Sequence, residues 1–306
     1  MILLWGAPGD DPLEAVHSEL DRRRAEVTLL DQRQVLDQRV ELTIGTSMGG
    51  SVWSRGRRFA FDEVSALYTR VYDARQMKHV AEAGAEAWVR VQEVESAIWS
   101  WADETTARVI NRPTAMASNG SKPYQAQLIR SVGFDVPETL VTNDPELVRD
   151  FVARHGRVIY KSISGVRSIV EEVDDAALAR LDDIRWCPVQ FQAYVEGVDV
   201  RVHVVGRRVF ATRIASDAAD YRYAATRSGV PARLEATRLS DATEARCVEL
   251  TARLGLRFSG IDLRITPDER VVCFEANPCP AYSYYEGHTN QPIARAVAHH
   301  LAGIAD

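Results

Sequence analysis

The sequence predicts an α/β unit at its amino-terminal end, followed by two α+β modules. Three observations lead to this fold class. Apolar strand patterns and helical patterns alternate through the first third, helices dominate directly after Pro113, and the stretch beyond residue 188 consists mainly of strands. Alternation is typical of a parallel sheet, whereas consecutive strands are typical of antiparallel pairing.

Length, composition and charge exclude several classes of function. The 306 residues suffice for about two or three domains. A net charge of −6 argues against nucleic acid as the main partner, because phosphate backbones bind basic faces. No apolar run is long enough to span a membrane, and the first residues lack the basic start of a signal peptide. The four scattered cysteines predict neither a zinc site nor a disulfide framework, so we expect a reduced, cytoplasmic location without membrane partners.

The first segment is predicted to be a βαβ unit. Its helix has Leu13, Val16 and Leu20 at helical spacing, with Asp11 as the N-cap and Pro12 as the first helical residue. A hairpin is predicted around a turn at residues 48–50. The strands expected in a parallel sheet are residues 1–7, 25–31 and 65–72.

One long helix is predicted over residues 76–103. Its apolar residues fall on one stripe, which we interpret as packing against the core rather than as a partner-binding face. Pro113 marks the end of this segment, because the residue before a proline disfavours helix. The stripe consists of Val80, Ala87, Val91, Val94, Ile98 and Trp101.

The middle of the chain is predicted to contain two helices and two strands. Gly133 ends the first helix, and Gly156 ends a second that Thr142 or Asn143 caps. Residues 157–165 and 167–173 read as strands around a small loop. Beyond them, the predicted elements are mainly antiparallel strands over residues 186–214 and 259–276, a helix over 243–256 and a terminal helix over 291–304.

A strand pair near the carboxyl-terminal end carries the strongest chemical signal. The runs around Asp262 and Glu275 are joined by a turn at residues 267–270, and a symmetric register places the two carboxylates opposite each other. Asn277 points to the same face as Glu275. Opposed like charges favour a cation between them, and Mg²⁺ prefers carboxylate and amide oxygens. The pattern predicts a magnesium site, and a solvated polar face without an ion is the alternative.

Two lysines are candidate phosphate ligands. Lys161 ends an apolar strand, and Ser164 and Gly165 follow in a loop whose backbone N–H groups can approach an anion. Lys122 lies near a helix start, where free N–H groups and the helix dipole favour an anion. Each lysine alone also fits a solvated surface position. The loop is neither a Walker A motif nor a GxGxxG motif, so those nucleotide folds are not supported.

Polar residues alternate along residues 189–206. Gln192 and Tyr194 lie on a strand whose backbone can pair with an adenine edge. Asp199, placed to hold ribose hydroxyls, and Arg201 share one face of the next strand, and Arg213 lies further along. Arginines at a metal–phosphate site suit stabilisation of an acyl phosphate or an oxyanion. An ordinary strand with exposed polar residues is the alternative.

These stretches together resemble the ATP-grasp superfamily over residues 112–300. The similarity is strongest to its RimK-type ligases and to the graspetide (microviridin-type) synthetases. The resemblance implies an ATP-grasp fold with a βαβ pre-ATP-grasp domain at residues 1–111, a central subdomain at 112–188 and a carboxyl-terminal subdomain at 189–306. The matching stretches are NRPTAMASNGSKPYQAQLIRSVGFDVPET, VIYKSISG, VQFQAYVEGVDVRVHVVG, and SGIDLRI with VVCFEANPCPAY.

The resemblance implies roles for the matching residues. Two lysines and the loop after the second would hold the phosphates of ATP, although that loop has only one glycine here. The hinge would hold adenine, largely through backbone, and an acidic residue would lie on the ribose or phosphate side. In chain order, these residues are Lys122, Lys161, Ser164, Gly165, Gln192, Tyr194, Val195 and Asp199.

The catalytic and metal residues follow from the same resemblance. Arg201 and Arg213 would contact the reacting phosphate and the substrate carboxylate. Asp262, Glu275 and Asn277 would bind Mg²⁺ against the ATP phosphates.

The activity implied is ATP-dependent ligation of a carboxylate to an amine or hydroxyl through an acyl phosphate. Residues 220–223, with Arg222, and residues 281–289 resemble the peptide-modifying members, so a precursor peptide closed by ester or amide crosslinks is the expected substrate. A RimK-like ligase of amino acids or small peptides is the alternative, as is a kinase. A nucleotide-binding module without catalysis is a further rival. The resemblance also allows a homo-oligomer, because dimers and tetramers are common among similar proteins.

Overall fold

The computed structural model describes residues 1–46, 48–162, 170–215 and 232–304. Within these residues, the strands form four sheets. In chain order they are β1 (Ile2–Gly6), β2 (Val27–Asp31), β3 (Arg39–Ile44), β4 (Met48–Ser54), β5 (Arg57–Ala60), β6 (Ala66–Arg70), β7 (Arg108–Ile110), β8 (Thr139–Thr142), β9 (Val158–Ser162), β10 (Glu171–Glu172), β11 (Val189–Ala193), β12 (Val198–Val205), β13 (Arg208–Ala215), β14 (Arg233–Thr237), β15 (Phe258–Ile265) and β16 (Val271–Asn277).

The helices connect and cover these sheets, and short 3₁₀ turns occur between them. No helix in the described ranges is both long and apolar enough to cross a bilayer. In chain order the α-helices are α1 (Asp11–Asp21), α2 (Lys78–Ala83), α3 (Ala85–Glu104), α4 (Pro113–Met116), α5 (Lys122–Ser131), α6 (Pro145–His155), α7 (Asp175–Ala179), α8 (Asp241–Arg253), α9 (Ser283–Thr289) and α10 (Ile293–Ala302).

The amino-terminal unit contains a parallel sheet of order β2-β1-β6-β7, which confirms the predicted βαβ pattern. A separate antiparallel sheet of order β3-β4-β5 packs beside it. Its first turn precedes Met48, because Ile44 pairs with Met48 and residues 48–50 already belong to β4. The predicted turn at residues 48–50 was therefore wrong.

Local capping differs from the sequence interpretation at two helices. The N-cap of α1 is Asp10 rather than Asp11, and its side chain accepts from the N–H of Leu13. The N-cap of α6 is Asp144 rather than Thr142 or Asn143.

The long helix predicted over residues 76–103 is interrupted at Gly84, whose φ of 87° is not helical, so α2 and α3 are separate helices.

The sheet of the central module has the order β10-β9-β11-β8, and we call it the second sheet. Its strands pair in antiparallel fashion, and one face packs on a small core that includes Phe151 and Phe191. Because β11 is hydrogen-bonded to both β8 and β9, the central module extends to Ala193. The boundary predicted at residue 188 therefore cuts through this sheet.

The sheet of the carboxyl-terminal module, which we call the third sheet, has the order β14-β13-β12-β15-β16 and is antiparallel throughout. Helices α5 and α8 pack on one of its faces through a core that includes Ile129, Val202 and Leu250. The terminal helix α10 packs against α1, so that the first and last segments of the chain share one hydrophobic core. This shared core fixes the amino-terminal unit beside the third sheet.

Candidate active site

Asp262 and Glu275 face each other across β15 and β16, as the sequence predicted. The loop between the two strands is one residue longer than the predicted turn at residues 267–270, because the pair that closes it is Ile265 with Val271. If the strands paired regularly from that loop onward, Phe274 would lie opposite Asp262. A β-bulge next to Asp262 shifts the register by one residue and places Glu275 there instead.

Each of the two carboxylates is paired with a basic side chain. Nζ of Lys122 donates to Oε2 of Glu275 at 2.7 Å, and Nη1 of Arg201 donates to Oδ1 of Asp262 at 2.7 Å. The Lys122 and Glu275 side chains are only 20% and 26% exposed. Direct, partly buried pairs of this kind are stronger than ordinary surface ion pairs. The site therefore neutralises its own acidic pair.

The pKa of the Glu275 carboxyl is lowered even though burial acts to raise it. The charges of Lys122 and Lys161, the hydrogen bond from Lys122 and the charge of Arg201 outweigh the effect of burial. Lys161 lies on β9 in the second sheet. The charge of Lys161 thus acts on Glu275 from the neighbouring sheet, and Glu275, with its pKa lowered, is ionised at neutral pH.

Arg201 is buried in a cradle on the third sheet. Its Nε donates to Nε2 of His203 at 3.5 Å, and its guanidinium lies 5.8 Å from the centroid of the Tyr285 ring. Gly260 leaves the room for it, because a Cβ there would lie 2.1 Å from Nη2 of Arg201. Burial, followed by the charge of Arg201, lowers the pKa of His203 well below its ordinary value, so the ring is neutral beside the guanidinium.

Arg213 does not join Arg201 on this face. In the hairpin of β12 and β13, each odd-numbered residue of one strand pairs with an even-numbered residue of the other. Arg201 is opposite Thr212, whereas Arg213 is opposite Val200, whose side chain packs in the core on the other face. Arg213 therefore lies on the opposite face from Arg201, and the paired role that the resemblance implies for the two arginines stays a prediction.

Asp199 is held by an arginine that sequence reasoning missed. Nε and Nη2 of Arg264 donate to the two carboxylate oxygens of Asp199 at 2.8 and 2.9 Å. Nη1 of Arg264 also donates to the backbone C=O of Val195 at 2.7 Å. The bidentate pair joins β12, β15 and the segment before β12. The one signal for Arg264 in the sequence was its spacing, since it follows Asp262 by two residues on the same predicted strand.

Lys161 lies on the polar face of the second sheet. Lys161 pairs with Gln190 across β9 and β11, so the two side chains share a face. Gln192 lies on the same face, and its Nε2 donates to Oγ1 of Thr139 at 3.0 Å. Phe191 points to the opposite face and packs in the core of the central module. We call the space between this polar face and the face that carries Asp262 and Glu275 the cleft, across which the charge of Lys161 acts on Glu275.

Residues 194–197 form the hinge between these two sheets. The N–H of Tyr194 donates to the C=O of Arg157 at 2.9 Å, and the Arg157 guanidinium lies 3.6 Å from the Tyr194 ring centroid. Gly197 has a φ of +147°, and a Cβ there would lie 2.3 Å from the C=O of Ile265. In the described part of the chain, the N–H of Val195 has no acceptor. The same holds for Glu196 and Gly197, so the N–H of Val195 is one of several backbone donors that the hinge offers.

The amino-terminal unit supports the loop after Asn277. Oδ1 of Asn277 accepts from the N–H of Cys279 at 2.9 Å and keeps a second lone pair for another partner. Nδ2 of Asn111 donates to a carbonyl of this loop at 2.6 Å, and Nη1 of Arg70 donates to another at 3.1 Å. Sequence reasoning missed both residues, because their partners are far away in the chain.

Helix α5 is fixed to the free edge of β16 by Gln125. Its Nε2 donates to the C=O of Ala276 at 2.9 Å, and its Oε1 accepts from the N–H of Ala276 at 3.0 Å. The amide side chain thereby pairs with the edge as a neighbouring strand would. Lys122, one turn earlier on α5, is held next to Glu275 as a result. Nothing in the local sequence pattern identified Gln125.

The donor set of the cleft fits magnesium shared with phosphate oxygens. No three His, Cys, Asp or Glu side chains converge within the described ranges. The third sheet supplies two carboxylates and an amide oxygen, from Asp262, Glu275 and Asn277. Mg²⁺ is usually held by one or two carboxylates together with substrate phosphates. Ser164, Gly165 and Arg222, for which the sequence predicted roles, lie outside the described residues.

Comparison with known proteins connects this geometry to a family. Residues 120–301 match the RimK-like ATP-grasp domain. A probable alpha-L-glutamate ligase of Enterobacter sp. (strain 638) is 30% identical over 200 residues, which are 60% of this chain and 64% of the relative. A second, from Klebsiella pneumoniae (strain 342), is 29% identical over 198 residues, with 60% and 64% covered. The chain thus matches less than two thirds of the length of these relatives.

Solved structures match over nearly the whole chain. The ATP-grasp ligase PsnB, complexed with a phosphomimetic variant of a minimal precursor, Mg and ADP, has a TM-score of 0.83 and 29% identity, covering 99% of this chain and 97% of PsnB. The macrocyclase MdnC from Microcystis aeruginosa MRC, bound with the precursor peptide MdnA, has a TM-score of 0.82, 21% identity, and 99% and 100% coverage. At that identity, the second likeness concerns the fold alone. Together they confirm the ATP-grasp fold that the sequence predicted.

Proposed function

The chain belongs to the RimK-like ATP-grasp family, and from that premise we propose that it is an ATP-dependent ligase of carboxylates. The γ-phosphoryl group of ATP moves to a substrate carboxylate, which gives an acyl phosphate and ADP. An amine or hydroxyl then attacks the acyl carbon, phosphate leaves, and an amide or ester remains. The observation that carries this proposal is the opposed pair Asp262 and Glu275, facing Lys161 across the cleft.

The chain supplies one group for each part of the nucleotide. Lys122 contacts Glu275 and the charge of Lys161 acts on it, which supports both lysines as ligands for the phosphates of a nucleotide whose metal is bound there. The free N–H of Val195 is placed to donate to adenine, and Tyr194 and Gln192 line that segment. We propose Ser164 and Gly165 as a phosphate cover on sequence grounds. Asp199, held by Arg264, is the acidic group on the ribose side.

Arg201 is the group that we propose for the reacting carboxylate. Its guanidinium is buried beside Asp262 and fixed by His203, so it needs little reorganisation when negative charge develops. Mg²⁺, when bound by Asp262, Glu275 and Asn277, would neutralise charge on the transferring phosphoryl group. Arg213 lies on the other face of this sheet, so we assign the reacting carboxylate to Arg201.

A peptide is the substrate that we propose, closed into a macrocycle by ester or amide crosslinks. PsnB, at 29% identity over nearly the full length, is complexed with a minimal precursor, and this supports a precursor peptide. We place the reaction in the cytoplasm, where ATP is available and the four cysteines, all free here, stay reduced. Assembly into a homo-oligomer is compatible with the proposal.

A second candidate is ligation of a free amino acid. The 30% identity to a probable alpha-L-glutamate ligase favours glutamate as the substrate for this candidate. Both candidates use the same nucleotide site and differ only in the acceptor. A kinase would share the first step but leave the phosphoryl group on its product.

Mass spectrometry after incubation with ATP and Mg²⁺ distinguishes these outcomes. The peptide to test is the product of a short neighbouring reading frame rich in Thr, Ser, Glu or Asp. A crosslink removes one water, glutamate ligation adds one residue, and a kinase adds one phosphoryl group. ADP release without the first or second change would overturn the ligase proposal. The variant Arg201→Ala is the matched negative control.

A further inference from the structure

The ion pair between Lys122 and Glu275 occupies the position that a divalent cation would take. Nζ of Lys122 lies 2.7 Å from Oε2 of Glu275, and its only other acceptor in the described ranges is Oδ1 of Asn119 at 3.4 Å. Both members of the pair are mostly shielded from water. An ammonium group and a metal ion cannot both bind this oxygen at full strength.

The two basic partners of the carboxylates differ in how they are held. Arg201 has His203 and the Tyr285 ring as further neighbours, so it keeps its place when Asp262 takes another partner. Lys122 is on a flexible side chain at the start of α5, and only its helix is fixed. Lys122 is therefore the group that can move.

A new partner for Lys122 arrives together with the nucleotide. If a metal ion alone displaced the lysine, the ammonium group would be left partly buried without its carboxylate. A phosphate oxygen offers Lys122 an equivalent charge-assisted hydrogen bond. The exchange is thus favourable only when metal and phosphate enter together.

We propose that Lys122 is a place-holding cation on Glu275, which is handed to a nucleotide phosphate as the divalent cation binds. This inference rests on the proposed nucleotide site and adds a coupling to it. Metal alone binds weakly, and nucleotide and metal each raise the affinity for the other by the same factor. The lysine thereby keeps the acidic pair neutral in the empty enzyme and prevents stable occupation by metal without nucleotide.

The variant Lys122→Met tests the exchange, because it keeps the length of the side chain and removes the charge. Mn²⁺ serves as the metal, measured by its electron paramagnetic resonance signal, and ADP serves as the nucleotide, measured by calorimetry. We expect the affinity for Mn²⁺ alone to rise about fivefold or more, and the affinity for ADP with Mn²⁺ to fall about tenfold or more. Opposite signs are what an exchange requires, and the labelling experiment below shows whether the lysine moves. Lys78→Met, at a side chain that is 88% exposed, is the control.

Chemical labelling gives a second test that needs no variant. Lys78, Lys122 and Lys161 are the only lysines in the sequence, so acetylation can be read at each by mass spectrometry. Saturating Mn²⁺ alone should raise the reactivity of Lys122, and Mn²⁺ with ADP should lower it, relative to Lys78. Sodium chloride of equal ionic strength is the control for screening.

The outcomes separate this inference from the function on which it rests. If the wild-type chain binds no ADP with Mn²⁺, the proposed function fails. If it binds ADP, but Lys122→Met lowers or leaves unchanged the affinity for Mn²⁺ alone, the place-holding role is overturned and the ligase proposal stands. Unchanged Lys122 reactivity at saturating Mn²⁺ also overturns the role.

Discussion

The carboxylate of Asp262 lies directly opposite that of Glu275, and a β-bulge next to Asp262 is what brings them together. The bulge offsets a loop that is one residue longer than a symmetric turn. It leaves Cys273 and Ala276 in the core, while Glu275 points into the cleft. Bulges are frequent beside functional sites because they re-aim one side chain without disturbing the rest of the strand.

Removal of one metal oxygen is expected to abolish turnover. Glu275→Gln and Asn277→Ala should each lower magnesium-dependent ADP release about 100-fold or more, since a Lewis acid contributes several kcal/mol. Circular dichroism should show an intact fold. Glu235→Gln, at an exposed carboxylate on β14 in the same sheet, is the matched control. Turnover near the wild-type level in both site variants would defeat the metal assignment.

Lys161→Ala is expected to weaken nucleotide binding. Loss of one charge-assisted hydrogen bond to phosphate should raise the dissociation constant of ADP about 10- to 100-fold, measured by calorimetry. The pKa of Glu275 should also rise in this variant, because the charge of Lys161 helps to lower it. Lys78→Ala should change neither quantity. An unchanged dissociation constant for Lys161→Ala would count against its phosphate role.

The two arginines are expected to differ in their effect on turnover. Arg201 lies on the cleft face beside Asp262, whereas Arg213 is exposed on the other face of the same sheet. Arg201→Lys should lower kcat about 100-fold or more, because an ammonium group cannot reproduce the planar, fixed arrangement of guanidinium donors. Arg213→Lys should lower it less than about fivefold. Equal losses of kcat would show that Arg213 reaches the reacting group after all.

The buried ion pair of Asp10 and Arg70 should make stability depend on pH. Burial raises the pKa of Asp10, but hydrogen bonds from Arg70 and Tyr72 and the charge of Arg70 outweigh it and lower the pKa below 3.8. Asp10→Asn keeps an N-cap for α1 and removes the charge, so we expect a loss of about 3–5 kcal/mol in the free energy of unfolding at pH 7.

The same loss should hold between pH 7 and pH 5. A carboxyl whose pKa is lowered by folding contributes stability above its unfolded pKa of about 3.8 and loses that contribution as pH falls through the folded value. The difference between wild type and Asp10→Asn should therefore shrink only below about pH 4, measured by urea unfolding. Asp144→Asn, at an exposed N-cap without an arginine, is the control. A difference that already declines at pH 6 would contradict this origin.

Much of the site could be predicted because its signals are local. Glu275 and Lys161 lie near strand ends, Asp262 lies within a strand and Lys122 begins a helix, and the apolar pattern reveals such positions directly. The parallel sheet of the amino-terminal unit was predictable for the same reason. Capping residues were misplaced by one or two positions, since several neighbouring residues can accept the same N–H groups.

The supporting contacts were not predictable from local patterns. Gln125 was missed because its two hydrogen bonds are to Ala276, 151 residues away. Arg264 was missed because a cross-strand partner is defined only once the register of β12 and β15 is known. The face of Arg213 relative to Arg201 could not be predicted for the same reason, because the pairing parity of a hairpin depends on its turn.

The chain alone therefore established which charged and oxygen-bearing residues lie on which strands and helices, because propensity and periodicity act over a few neighbouring residues. The tertiary structure decided which of these residues are in contact. Lys122 contacts Glu275 across 153 residues, and Arg201 contacts Asp262 across 61. Such pairs depend on strand register, a bulge and the docking of α5, which are set by packing of the whole sheet and leave no mark in any short stretch of sequence.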